Sequence, residues 1–93
     1  MYKRALLRIQ KKIKEGHYVI RTHAYREMRK DGFFEEDMVE GIVSGHIVSR
    51  QQDAQTREWK YVIHGNSTQY GKKIGTVVKE KSHVVVITIF QEF

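Results

Sequence analysis

The sequence predicts an α+β domain in which N-terminal helices pack on a four-stranded, mainly antiparallel sheet. Three observations carry that expectation. In the first half of the chain, apolar residues recur at intervals of three and four. From His46 onward the period becomes two. The segment Val84-Val85-Val86-Ile87 is an unbroken apolar run, which suits a strand covered on both faces. A chain of 93 residues fits a single domain over 1–93.

The first helix is expected from Tyr2 to Lys14. Tyr2, Leu6, Ile9 and Ile13 fall on one stripe, while Lys3, Arg4, Arg8, Lys11 and Lys14 cover the other side, with Leu7 among them. Gly16 is a natural stop. His17 to Arg21 reads as a short strand, either an edge strand or an extended linker. Thr22 is suited to cap a second helix from His23 to Lys30, on which Ala24 and Met28 face inward. Asp31-Gly32 ends it.

A third helix is expected from Glu35 to Ser44. Phe33 and Met38 have the spacing of a hydrophobic staple. Glu35, Glu36 and Asp37 lie in the first turn, where acids meet the positive end of the helix dipole. Val39, Ile42 and Val43 form its apolar stripe, and Gly45 suits the position after the cap. Phe34 stands where a Ser or Thr cap would serve better.

Four strands follow: His46 to Gln52, Trp59 to His64, Lys73 to Lys79, and His83 to Gln91. Asp53 to Arg57 and Glu80 to Ser82 are turns, and Gly65 to Lys72 is a polar loop. Short connections between consecutive strands predict an antiparallel meander. Trp59, Tyr61 and Ile63 share one face and read as core. His64 is left on the polar side.

Composition narrows the function classes. The absence of Cys excludes disulfides and thiolate metal sites. No apolar run reaches the length of a membrane span. Met1 to Glu15 lacks the continuous apolar stretch of a signal peptide, so a cytoplasmic protein without a membrane partner is expected. A net charge of +6 favours anionic partners, RNA or an acidic protein among them. Gly71-Lys72-Lys73-Ile74-Gly75 lacks the order of a phosphate-binding loop, and no cofactor site is expected.

An ordered set of short motifs carries a family likeness. Thr22-His23-Ala24, Glu27-Met28, Asp31-Gly32, Glu36-Asp37-Met38 and Gly45 are followed by Tyr61-Val62, Gly65, Val77-Val78 and Val86-Ile87-Thr88-Ile89-Phe90. Together they resemble a widespread family of small uncharacterised prokaryotic domains, itself distantly similar to the RelE/ParE and BrnT toxins. The resemblance implies a RelE/ParE toxin-like fold, an RNA target and an acidic antitoxin-like partner. This chain departs from the commoner pattern at Glu27 and Asp31, where Arg is usual, and at Phe34, where Ser or Thr is usual.

Candidate chemistry centres on the second helix. Metal-free RNA cleavage needs a base, an acid and a group that stabilises the phosphorane. His23 and Glu27 are four residues apart, so a carboxylate adjoins an imidazole, and Lys30 lies on nearly the same line. His23, Glu27, Lys30 and His64 are the catalytic candidates. Arg26, Lys30, Tyr70, Lys72 and Lys73 are the candidate nucleic-acid contacts. A bland alternative stands beside this: His23 buried on the sheet with its ring bonded to a backbone carbonyl, and Glu27 merely paired with a cation. His17, His46 and His83 sit near element ends and attract no role. His23 and Glu27 lack a third metal ligand at recognisable spacing, so no metal is expected. Two functions therefore follow: an RNA-directed toxin-like protein, in its sharpest form a metal-independent endoribonuclease, or a non-catalytic adaptor for protein or nucleic acid. An uncovered edge strand leaves room for a homodimer.

Overall fold

A computed structural model describes residues 2–68 and 71–91. Among them run α1 (Lys3–Lys14), β1 (Tyr18–Ile20), α2 (Thr22–Lys30), α3 (Glu35–Val43), β2 (His46–Gln52), β3 (Trp59–Ser67), β4 (Lys72–Glu80) and β5 (Val84–Phe90). The strands form one five-stranded sheet of order β1-β5-β4-β3-β2.

That topology corrects the four-stranded expectation. β2 to β5 pair antiparallel in sequence, as a meander. β1 adds a fifth strand parallel to β5, with Tyr18 opposite Val84 and Ile20 opposite Val86, so the sheet is mixed. Three residues are too few to show alternation, and the partner lies at the far end of the chain. No local pattern announces such a pairing. Two smaller differences follow from the same sheet. β3 continues through Gly65 to Ser67, where a loop was expected. Trp59 stays 39% exposed at the strand's start instead of joining the core.

One apolar cluster joins the helices to one face of the sheet. Ala5, Ile9 and Ile13 of α1, Ala24 and Met28 of α2, and Met38 and Ile42 of α3 meet Tyr61, Ile63, Ile74, Val78, Val84, Val86 and Ile89. The intervening strand positions, among them Val62, His64, Val77, Thr88 and Phe90, face the other way and are only half-buried.

α1 is tied to the rest by its polar side. Arg8 and Lys12 both reach Glu80, each at 3.0 Å. Burial works against that carboxylate, but the two cations hold it below the usual range. Gln10 donates its amide to the carbonyls of Ile42 and Val43 at 3.0 and 3.1 Å. Those oxygens lie in the last turn of α3, where a helix leaves carbonyls without partners.

α3 solves its cap from within. Phe34 has no side-chain acceptor, yet its backbone N–H donates to Asp37 Oδ2 at 2.7 Å, the half of a capping box that the third helical residue supplies. The other oxygen of the fully buried Asp37 accepts from Ser67 on β3. Phe33 and Met38 are both buried across the same turn, as a staple requires.

Further along, α3 touches β3 backbone to backbone. A Cβ on Gly65 would sit 1.8 Å from the Gly41 carbonyl oxygen, and a Cβ on Gly41 would sit 2.1 Å from Ile74 Cγ2. Neither space exists for a methyl group. Gly65→Ala is expected to destabilise the fold by about 3 kcal/mol or more, the upper range of overpacking. Chemical denaturation of the variant beside the wild type measures it, and a loss under about 1 kcal/mol would show that the helix can lift off the strand freely.

Candidate nucleic-acid interface

β1 ends at Ile20, and the backbone leaves β5 after Arg21 N–H donates to Val86 O at 3.0 Å. From there α2 runs beside the end of β5. Ile89 N–H donates to Glu27 Oε1 at 3.3 Å, so a side chain satisfies a backbone group where the neighbouring strand has stopped. The same carboxylate oxygen lies 3.3 Å from His23 Nε2. The i, i+4 pair read from the sequence is therefore formed. The His23 side chain is 72% exposed, so the buried alternative for this residue is not what the structure shows.

A second group lies on the face of the sheet that the helices leave uncovered. Register places His46 opposite His64, His64 opposite Gly75, and Gly75 opposite Phe90. Cross-strand partners share a face, so these residues form one row across four strands. Gly75 is required there: a Cβ would meet the Phe90 ring at 2.3 Å. With that space open, the Phe90 ring lies across β4 and meets the His64 ring edge-on, 5.9 Å between centroids at 78°. Lys73, opposite Asn66, stands beside the row.

Burial, followed by the charges of His46 and Lys73, holds His64 below the ordinary histidine range. A neutral imidazole at neutral pH is a competent proton acceptor. The far end of this face is closed differently. There the buried Lys79 is held by Asp53 and Glu58 at 3.4 and 3.2 Å. Backbone N–H groups of Gln55 and Thr56, then Lys79, hold Asp53 well below the usual carboxylate range.

The predicted site residues do not converge on one centre. Two strand spacings, roughly 10 Å, separate the backbones of β5 and β3, and α2 lies beyond β5. His23 and His64 therefore cannot serve one phosphate as a pair. Arg26 and Lys30 are exposed on α2. Lys72 lies toward the helices, its Nζ 5.7 Å from the Phe33 ring centroid, while Lys73 joins His64 on the other face. Tyr70 lies outside the described residues. Sequence reading passed over His46, Gly75 and Phe90. Counting alternation outward from each hairpin would have placed His46 and His64 on one face. The Gly75–Phe90 contact needs the register itself. Among the described residues, no group of three or more His, Cys, Asp or Glu side chains is placed to hold a metal ion. No described helix is long and apolar enough to cross a membrane.

Two measurements follow from this geometry. His23→Ala should change stability by less than about 0.5 kcal/mol, because the ring is exposed. Glu27→Ala should cost about 1–2 kcal/mol by leaving the Ile89 N–H without its acceptor. Equal losses in the two variants would contradict the assigned roles. For His64, an NMR titration should give a pKa below 6.5 in the folded protein. Lys73→Met removes a positive neighbour and should move that pKa upward; an unchanged or lower value would refute the coupling.

No curated protein and no solved structure gives a match to this chain. Residues 20–91 match a family model described as a domain of unknown function, DUF4258. The matched segment runs from the last residue of β1 through α2, α3 and the whole meander, more than half of the chain, so the chain belongs to the DUF4258 family.

Proposed function

We propose that the protein is RNA-directed and toxin-like, and that it receives an RNA strand across the uncovered face of its sheet. The row His46–His64–Phe90 with Lys73 beside it carries this reading. Aromatic and imidazole rings on a sheet face offer stacking surfaces to unpaired bases, and a flanking lysine suits phosphate. The net charge of +6 supports the same partner by raising the local concentration of polyanions. The likeness of the motifs from Thr22 to Phe90 to relatives of RNA-directed toxins points the same way.

Cleavage is the sharper form of the proposal, and His64 is its base. Neutral His64 takes the 2′-hydroxyl proton as the 2′ oxygen attacks phosphorus. The bond to the 5′ oxygen breaks, and His46 across the strand pair, acting as the acid, gives that leaving oxygen a proton. The products are a 2′,3′-cyclic phosphate and a 5′-hydroxyl. Lys73 stabilises the charge of the phosphorane between them. In this form His23 and Glu27 are peripheral contacts at the β5 edge.

A specific observation favours the adaptor reading beside it. Tyr25 and Phe34 are exposed large side chains that flank a cleft of about 350 Å3 with Arg29. Such a patch suits a protein partner, an acidic antitoxin-like chain included.

Purified protein incubated with single-stranded RNA in chelator separates these readings. Affinity should fall steeply with salt, and Lys73→Met should reduce the salt slope by about one. Undetectable or salt-insensitive binding would remove the RNA-directed proposal and leave the adaptor. RNA that is bound but uncut, or cut equally by His64→Ala, would remove the cleavage step alone.

A further inference from the structure

We propose that a second contact for single-stranded RNA, one that stacks a base and grips a phosphate, is built at the corner where α1 meets β2 and β3. It is formed by Tyr2, Arg50 and Trp59, with Lys3 and Arg4 at its mouth. The choice of RNA rests on the function proposed above; the geometry of the cleft is independent of the His64 row.

Arg50 lies opposite Tyr61 in the β2–β3 ladder, and Tyr61 faces the helices. Arg50 is thus on the helix side, the reverse of the face bearing His64. Its guanidinium carbon stands 3.9 Å from the Trp59 ring centroid and 5.0 Å from that of Tyr2. Tyr2 in turn meets Tyr61 edge-on, with centroids 6.5 Å apart, which anchors the stack to the core. A cleft of about 530 Å3, lined by Tyr2, Lys3, Arg4, Leu7 and Arg50, opens beside it. That volume is within the range of small-ligand sites.

Two features select the ligand. The first is that aromatic faces, not a carboxylate, hold Arg50. The neighbouring acids are engaged elsewhere: Glu80 by Arg8 and Lys12, Asp53 and Glu58 by Lys60, Lys79 and Lys81. A guanidinium held over aromatic rings keeps its N–H donors, a planar fork that matches phosphate. The second is that the stack stays open to solvent. Trp59 is 39% exposed and Arg50 is exposed, so planar surface is available next to the cations. An acidic peptide would use the charges and leave the rings idle. A nucleotide strand uses both, a base against the ring and its phosphate on Arg50, Lys3 and Arg4.

Trp59 is the sole tryptophan, so its fluorescence reports on this corner directly. The titration uses oligo(U) and oligo(A) eight-mers, with inorganic polyphosphate and polyglutamate as anions that carry no base. Direct affinity is read in parallel from labelled oligonucleotide anisotropy. Both oligonucleotides should quench Trp59, and the two base-free anions should do so much more weakly. Arg50→Lys keeps the charge and loses the planar stack; it should weaken oligonucleotide affinity at least about fivefold. Trp59→Leu should weaken it similarly. Both side chains are exposed, and an unchanged melting temperature confirms that the variants fold. Equal quenching by polyphosphate or polyglutamate would overturn the base-stacking assignment. Oligonucleotide binding that leaves Trp59 emission and Arg50→Lys affinity unchanged would overturn this site while the RNA-directed reading stands. Absence of any oligonucleotide binding would overturn both.

Discussion

The structure depends on the closeness of α3 to β3. With Gly41 against Gly65, the helix axis is drawn to a distance at which backbone groups touch. Polar contacts then run along the same seam: Asp37 with Ser67, Glu40 with the N–H of Thr68 at 2.7 Å, and the Ser44 hydroxyl with Asn66 N and O at 3.1 Å. Asp37, Glu40 and the cap residue Ser44 thus grip three consecutive residues, Asn66 and Ser67 at the end of β3 and Thr68 just past it. The seam fixes the rotation of β3 about its axis. Tyr61 and Ile63 then go into the core, and His64 is turned out to the opposite face. The cap of α3, the end of β3 and the direction of His64 share one cause.

Charge is organised by a similar division. Glu80, Asp53 and Glu58 spend their negative charge inside the fold, fastening α1 and the β2–β3 turn to the sheet. Glu27 is occupied with a backbone N–H and His23. Lys3, Arg4, Lys11 and Lys14 form no ion pair with an acid among the described residues and face solvent on α1. The solvent face of α1 is therefore uniformly positive.

Much of the fold was legible because its causes are local. Ile9 and Ile13 announce α1, Phe33 and Met38 announce the turn into α3, and the change of period at His46 announces the meander. β1 was legible as a short strand, edge strand or linker, but its parallel pairing was not, because Tyr18 and Ile20 acquire partners only when β5 arrives from the far end of the chain. The site divides in the same way. The His23–Glu27 pair follows from helical spacing alone. The row through His46, His64 and Phe90 depends on the registers of three ladders and on a missing side chain at Gly75. Arg50 on Trp59 is a cross-strand diagonal that no spacing rule within one strand reveals.

The shortness of β1 has a consequence for how such a sheet avoids its own kind. A sheet rim with bare backbone groups is a template on which further strands can grow into fibrils. Here one rim is only three residues long, and beyond it Glu27 occupies an N–H of β5 that an invading strand would seek. At the other rim, β2 slips register between Ile47 and Ser49 and carries the bulky Arg50 stack just past the irregularity. A bulge of that kind twists the rim away from flat pairing. Both borders of the sheet are thus blunted by their own residues, and a sheet with one open face is guarded against polymerising edge to edge.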